Sequence, residues 1–312
     1  MPSPILKAAR AIKAGMLVAF PTETVYGLGA NALNPEAIAK IFEAKERPSF
    51  DPLIVHIADL EQLEDLILKH DDRILTLAEQ FWPGPLTIVV EKSDLVPGLV
   101  SSGLNTVGIR MPNHPVALDL IREAGLPIAA PSANKFGKLS PTDATHVLSK
   151  LPNVEIVLEG GRTAIGIEST IIRLHEDGFE LLRPGYYSDL EISKYVPQSK
   201  QHSVREHMAA PGMMNSHYSP VIPLYLTESE VPQEFSKSEM GYISFNKPMD
   251  GYAFHIRLSE RNDLKDYAAN MFAALHDMEE SGVRAILIES VPEEGLGIAI
   301  MDRLKKAAHD YQ

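Results

Sequence analysis

Five times before Pro197, a short apolar run adjoins a loop of Thr, Ser, Asn, Gly and Lys or Arg. These stretches are "PTETVYGLG", "KERPSFDPLIVHI", "SSGLNTVGIR", "APSANKFGKLSP" and "GIESTIIRL" with its companion "LLRPG". The apolar runs are of strand length, and helical patterns stand between them. Asn34-Pro35 caps one such helix, with Ile38, Ile41 and Phe42 on a single face, and Ser3-Pro4 opens another that Gly15 ends. Strands alternating with helices, with few tight hairpins, predict an α/β chain: a twisted sheet covered by helices, its polar loops gathered at strand ends.

The alternation pauses between Pro197 and Pro220, where "PQSKQHSVREHMAAPGMMNSHYSP" is polar, carries Pro and Gly, and sustains no period. It reads as a linker. Beyond it, "VIPLYL", "GYISF", "YAFHIRL" and "RAILIES" are strand-like. Leu264, Tyr267, Ala268, Met271, Leu275 and Met278 form a helical stripe, and a last helix is expected over Gly297–His309. The expected organisation is a first domain over 1–196, a linker over 197–220 and a smaller α/β domain over 221–312. Within the first, Met16–Phe20, Leu53–Ile57 and "VEIVLE" (Val154–Glu159) are expected strands.

Composition narrows the chemistry. There is no cysteine, which removes disulfides, zinc–thiolate sites and cysteine nucleophiles. Lys7, Arg10 and Lys13 interrupt the apolar residues near the N-terminus, and nowhere do the ~18 apolar residues of a membrane span run together. A cytoplasmic protein without a membrane partner is expected. The net charge of −13 argues against a chain whose main task is gripping nucleic-acid backbones. Yet Lys45, Arg47, Lys135, Lys138, Arg162 and Arg183 sit in Gly/Pro/Ser-rich connections. They read either as ordinary solvated loop charges or as partners for a small anionic ligand.

Common motifs are missing. No Walker A turn, no Gly-x-Gly-x-x-Gly after a strand and no Gly-x-Ser-x-Gly elbow occurs, and His202 and His207 lack the spacing of a helical zinc pair. No protein-built metal site is expected. What the loops do offer is Thr, Ser and Asn for hydrogen bonds in both directions, Gly for close backbone approach, and Arg for bidentate contact with carboxylate or phosphate. Such parts suit a polyanion together with a small zwitterion.

"PTETVYGLGANA", "KERPSFDPLIVHI", "FWPGPLT", "VGIRMPNHP", "APSANKFGKLSPT", "GIESTI" and "LRPG", in this order, resemble the YrdC-like domain of the threonylcarbamoyl-AMP synthases. "APGMMNSHYSP" resembles the linker of the two-domain form, and "EGLGIAIMDRLKKAA" the end of its extra C-terminal domain. The resemblance implies an open, positively charged cavity on a twisted α/β sheet and a smaller Rossmann-like C-terminal domain. The implied reaction makes L-threonylcarbamoyl-AMP from L-threonine, bicarbonate and ATP with release of pyrophosphate, aided by Mg²⁺. A downstream tRNA threonylcarbamoyl transferase complex would take the product, with tRNA met only indirectly.

By the same resemblance, Thr24, His56, Arg110, Ala130 and Ser169 match positions that bind L-threonine, with Arg110 the carboxylate clamp and Gly27 and Gly29 turning the chain behind Thr24. Arg47, Asp51, Thr106, Ser132, Ser140, Arg183 and Tyr218 match ATP-contacting positions, and Lys45 with Arg47 would neutralise the reacting phosphates. From the residues alone, His56 also fits a core histidine and Arg183 a surface charge. Two departures stand out. Asp51 replaces a usual Asn, which needs Mg²⁺ or Arg47 to offset its charge, and Met214, Asn215 and Ser216 stand where the linker is usually basic. A rival reading is an RNA-binding or ribosome-associated module using the same basic concavity. A different carbamoyl transfer, as in related folds with zinc-binding domains, lacks the necessary cysteines.

Overall fold

The structure is a computed structural model that describes residues 3–200, 211–212 and 217–309. His202, His207, Met214, Asn215 and Ser216 lie outside the described residues. The strands are β1 (Val18–Phe20), β2 (Gly27–Asn31), β3 (Ile54–His56), β4 (Leu86–Glu91), β5 (Thr106–Arg110), β6 (Ile128–Ala129), β7 (Thr170–His175), β8 (Gly178–Arg183), β9 (Leu224–Leu226), β10 (Met240–Ser244), β11 (Phe254–Arg257) and β12 (Ala285–Ile288). The helices are α1 (Pro4–Lys13), α2 (Pro35–Lys45), α3 (Glu61–Leu66), α4 (Asp72–Phe81), α5 (Pro115–Ala124), α6 (Ala144–Lys150), α7 (Asp189–Ile192), α8 (Leu264–Glu280) and α9 (Leu296–Ala308).

Two sheets result. The first is mixed, in the order β1-β2-β6-β3-β5-β4-β7-β8, and the second runs β11-β10-β12-β9 with every pairing parallel. The α/β expectation is met. The caps act as their sequence implies: Ser3 accepts from Leu6 N at 3.2 Å, and Asn34 accepts from Glu36 N and Ala37 N. The run Val154–Glu159, expected as a strand, makes a single isolated bridge between Val157 and Ala19. It lies along the outer edge of β1, where two backbone bonds hold it (Ala19 N to the Ile156 carbonyl, Leu158 N to the Ala19 carbonyl) and no longer ladder forms.

Register places the chemistry. His56 ends β3 and Arg110 ends its parallel neighbour β5, directly opposite one another. Cross-strand partners project from the same face, so the imidazole and guanidinium emerge together at one sheet edge. The antiparallel strand β6 pairs Ile128 with His56 and Ala129 with Val55, so Ala130 lies beside Ile54, at the start of β3 but bordering the same cavity, while β4 pairs Leu86 with Thr170 and brings Ser169 to the Arg110 end. Gly27 and Gly29 do not turn the chain. They lie inside β2, where a Cβ on Gly29 would stand 2.6 Å from the Phe20 ring. Their lack of a side chain lets β1 fold flat onto β2.

Apolar packing gives each sheet its own core. Val55, Ile88, Ile109 and Ile172 belong to the first, and Ile243, Met271, Leu275, Ile288, Ile300 and Leu304 to the second. The two parts meet along α8 and α9. His276 of α8 stacks on His146 of α6, ring centroids 3.9 Å apart, and bonds the Ser140 carbonyl, while Glu279 pairs with Lys150 at 2.7 Å.

Gly166 brings the backbone of the first part close against α8. It has φ +76°, and a Cβ there would lie 2.3 Å from the Ala268 carbonyl oxygen on α8. Gly166→Ala therefore combines left-handed strain, about 1–3 kcal/mol, with a clash that pushes α8 away. Its chemical-denaturation midpoint should fall with secondary structure intact, and an unchanged midpoint would show that α8 does not seat on this loop.

Candidate active site

The strand-end loop Pro21–Tyr26 is built around hydroxyls. Thr22 Oγ1 donates to the Val25 carbonyl at 2.6 Å and accepts from the backbone N–H of Thr24 and Val25. Its only proton is then used, so the 2.9 Å contact between the Thr22 and Thr24 hydroxyls has Thr24 as donor. Thr24 Oγ1 in turn accepts from Arg110 Nη1 at 3.0 Å. Tyr26 bonds the Gly161 carbonyl at 2.8 Å and accepts from Gly160 N; burial pushes its phenol up to about 12. Thus the Thr, the Thr and the Tyr of "PTETVYGLG" fix one loop.

Its Glu has a separate task. Glu23 Oε1 lies 2.6 Å from Arg110 Nη2, both groups buried, while Arg110 Nε donates to the Gly84 carbonyl. Arg110 is thereby held from three sides.

Beside it, the loops enclose a cavity of ≈ 50 Å³. Thr24, His56, Arg110, Ala130 and Ser169 line it, as do Arg47, Ser132, Arg183 and Tyr218. His56 is neutral, its imidazole pushed down to about 3 by burial and by Arg110. Arg183 is 4% exposed, which rules out the surface-charge reading. It donates to the Ser169 carbonyl from Nε (3.2 Å) and Nη2 (3.0 Å), to Ser169 Oγ, and to the Pro211 carbonyl from Nη1 (3.1 Å).

Four of the expected residues stand outside the cavity lining. Lys45 donates to the carbonyls of Ser132 (2.6 Å) and Asn134 (2.5 Å), tying α2 to the "SANKFGK" loop. Burial, then Arg47, drives its ammonium pKa well down. Asp51 lies behind Arg47, 2.8 Å from Nη2, so the departure from Asn is met by an ion pair. Burial still raises the Asp51 carboxyl. Thr106 lines an adjoining cleft and accepts from Arg173 at 3.2 Å. Ser140 is buried behind the wall and donates to Glu168 Oε1 at 2.5 Å.

Glu168 joins the lining instead, along with Thr22, His217 and the backbone of Pro211–Gly212. It belongs to the quoted "GIEST" motif, but nothing in that motif alone marks its carboxylate as a wall residue. Its partner comes from far along the chain: Arg303 Nε of α9, at 2.9 Å. Burial raises the Glu168 carboxyl, but Arg303 and Arg183, with hydrogen bonds from Ser140 and Arg303, outweigh it and hold the group at about 2.

Among the described residues no group of His, Asp and Glu could hold a metal ion. Glu168 in the cavity wall and Glu23 and Asp51 behind it are each engaged by an arginine. The donor set does not fit a resident Mg²⁺. No helix of the described residues is long and apolar enough to cross a membrane.

The folded-state value of Glu168 sets a pH window. It lies below the ordinary value of 4.5, so its contribution is fully present above about pH 4.5 and is lost as pH falls through about 2. The size is on the order of 3 kcal/mol. Glu168→Gln should flatten the acid limb of stability against pH over that window. An unchanged limb would mean that the pair with Arg303 does not form.

Comparison with known proteins finds two family models along the chain. A family model described as "Telomere recombination" matches residues 10–185, and one described as "Threonylcarbamoyl-AMP synthase, C-terminal domain" matches 187–309. Threonylcarbamoyl-AMP synthases of Pyrococcus abyssi and Bacillus subtilis are each 43% identical, the first over 96% of this chain and 93% of its own length, the second over 97% and 92%. A P. abyssi crystal structure complexed with L-threonine matches with TM-score 0.89 and 43% identity, covering 98% of this chain and 94% of that one.

Proposed function

The chain belongs to the threonylcarbamoyl-AMP synthase family, and from that premise we infer that it makes L-threonylcarbamoyl-AMP from L-threonine, bicarbonate and ATP. The observation that best supports this reading is one cavity lined by Thr24, His56, Arg110, Ala130 and Ser169 together with Arg47, Ser132, Arg183 and Tyr218. The first group suits a small amino acid: a cation for its carboxylate, short side chains, and a neutral imidazole. The second suits phosphates.

In the reaction, an oxygen of N-carboxylated threonine attacks the α-phosphorus of ATP. A carboxyl–phosphate bond forms, the bond between the α-phosphorus and the bridging oxygen breaks, and pyrophosphate leaves. Such transfer needs alignment and neutralised charge more than a dedicated nucleophile. In this reading Arg110 orients threonine, Arg183 and Arg47 face the phosphates, and Lys45 acts by bracing the Ser132 loop. Any Mg²⁺ would come with the nucleotide, since Glu23, Asp51 and Glu168 are each engaged by an arginine. The division into 1–196, 197–220 and 221–312, and the transfer of product to a tRNA-modifying complex, belong to the same proposal. The RNA-binding alternative is disfavoured by the net charge of −13 and by how many of the buried cations are already paired.

Pyrophosphate release from ATP that requires both L-threonine and bicarbonate is the expected behaviour; release independent of threonine would sink the reading. Arg110→Ala should weaken threonine binding by roughly 2–5 kcal/mol, with ATP affinity measured alone changing far less. Wild-type threonine affinity in that variant would reduce Arg110 to a structural role.

A cavity of ≈ 50 Å³ holds little more than a water or two and is far smaller than a nucleotide. In this reading Pro211, Gly212, His217 and Tyr218, which line it, shift to admit ATP. Stopped-flow binding rates should level off as ATP concentration rises, because opening becomes limiting; rates that keep rising linearly would count against a gate.

A further inference from the structure

Arg303 is an anomaly of α9. It falls four residues after Ala299 and four before Ala307, on the stripe that packs into the second core, and it is 0% exposed. A fully buried arginine persists only where its charge and donors are matched. Nε meets Glu168 Oε2 at 2.9 Å, and Nη1 meets the Pro184 carbonyl at 2.9 Å and Asp302 Oδ2 at 2.7 Å. The guanidinium carbon lies 5.4 Å from the centroid of the Tyr218 ring. One side chain thus touches the "GIEST" loop, the "LRPG" loop and the segment that closes the cavity.

Glu168 stands between two guanidinium groups, those of Arg303 and Arg183. Arg47, Arg110 and Arg303 each have a carboxylate partner; among the described residues Arg183 has none and is held by carbonyl and hydroxyl oxygens. Glu168 lines the same cavity as Arg183 and acts on it electrostatically, and Arg303 together with Ser140 engages both oxygens of that carboxylate.

We propose that Arg303 is a positioning residue of the active site: it keeps Glu168 from pairing with Arg183, so that the Arg183 charge stays available to the phosphates of the nucleotide. This rests on the functional reading above and adds to it a residue of α9 that acts on phosphate affinity through Glu168. Remove Arg303, and the buried Glu168 carboxylate turns to Arg183, the remaining cation beside it. His217 and Tyr218 also face this carboxylate, but neither carries a positive charge at neutral pH: burial pushes the His217 imidazole down to about 3.

The test is a cycle on the full-length chain with Arg303→Met, Glu168→Gln and the double variant. ATP, tripolyphosphate and L-threonine binding are read by calorimetry, with melting temperature recorded for each protein. Arg303→Met should weaken ATP and tripolyphosphate roughly 10- to 100-fold, the scale of one charge-assisted contact, and leave L-threonine affinity nearly unchanged. Adding Glu168→Gln should recover most of the loss, because no carboxylate then competes for Arg183.

A purely structural Arg303 would lower the melting temperature without this selective loss, or would show no recovery in the double variant; either result overturns the proposal. If Arg303→Met does not fold, Arg303→Lys keeps the charge but loses the fork. It should show a smaller loss in the same direction, again relieved by Glu168→Gln, and equal losses with and without that change would overturn the proposal too. Threonine-dependent pyrophosphate release by the wild-type chain tests the functional reading separately. Its absence, with the tripolyphosphate pattern intact, would refute that reading and leave the role of Arg303 standing.

Discussion

Burying arginines in an acidic protein is the constraint around which this site is arranged. Taking a charge out of water costs several kcal/mol unless a partner and further hydrogen bonds replace the lost hydration. Arg110 is matched by Glu23, Arg47 by Asp51 and Arg303 by Glu168. Each pair ties two segments that are not neighbours in the sheet order, or fixes a loop onto itself. The ion pairs fix where these loops run, and the cavity lies between them. Arg183 departs from the rule: carbonyl and hydroxyl oxygens hold it, and among the described residues no carboxylate pairs with it.

The same charges join the two sheets. Arg303 reaches from α9 to Glu168 and to the Pro184 carbonyl, and Lys306 of the same helix donates to the Gly212 carbonyl at 2.8 Å. His217 N donates to the Lys306 carbonyl. Helix α9 thus backs the wall of a cavity whose lining residues belong to the first sheet and the connecting segment. The cavity wall is a joint product of both parts, which gives the second sheet a role beyond that of an appendage.

Much of this was legible in the sequence, and what was not has a common cause. Strand-end loops, caps and the α/β alternation follow from local pattern, and the residues of "PTETVYG", "LIVHI", "VGIR", "AAPSAN" and "GIEST" do meet in one place. Sequence could not tell a cavity-lining charge from one that braces the lining. Lys45, Asp51 and Ser140 stand one layer back, and Thr106 lies in the next cleft, because which face a loop residue presents depends on tertiary contacts. Glu23 was in plain view inside the first motif but had no visible partner until β3 and β5 aligned. Arg303 was detectable in principle, as a cation on an apolar helical stripe. Its partner, 135 residues earlier in the chain, was not.

Placing both substrates in the cavity at once tests the account most directly: a crystal structure of this chain with L-threonine and a non-hydrolysable ATP analogue. The account predicts the threonine carboxylate on Arg110 and phosphate oxygens within hydrogen-bond distance of Arg183, with Glu168 still on Arg303. Phosphates seated instead among Lys135, Lys138 and Lys150 at the cleft beside His276, with Arg183 still bound only to carbonyls, would contradict it.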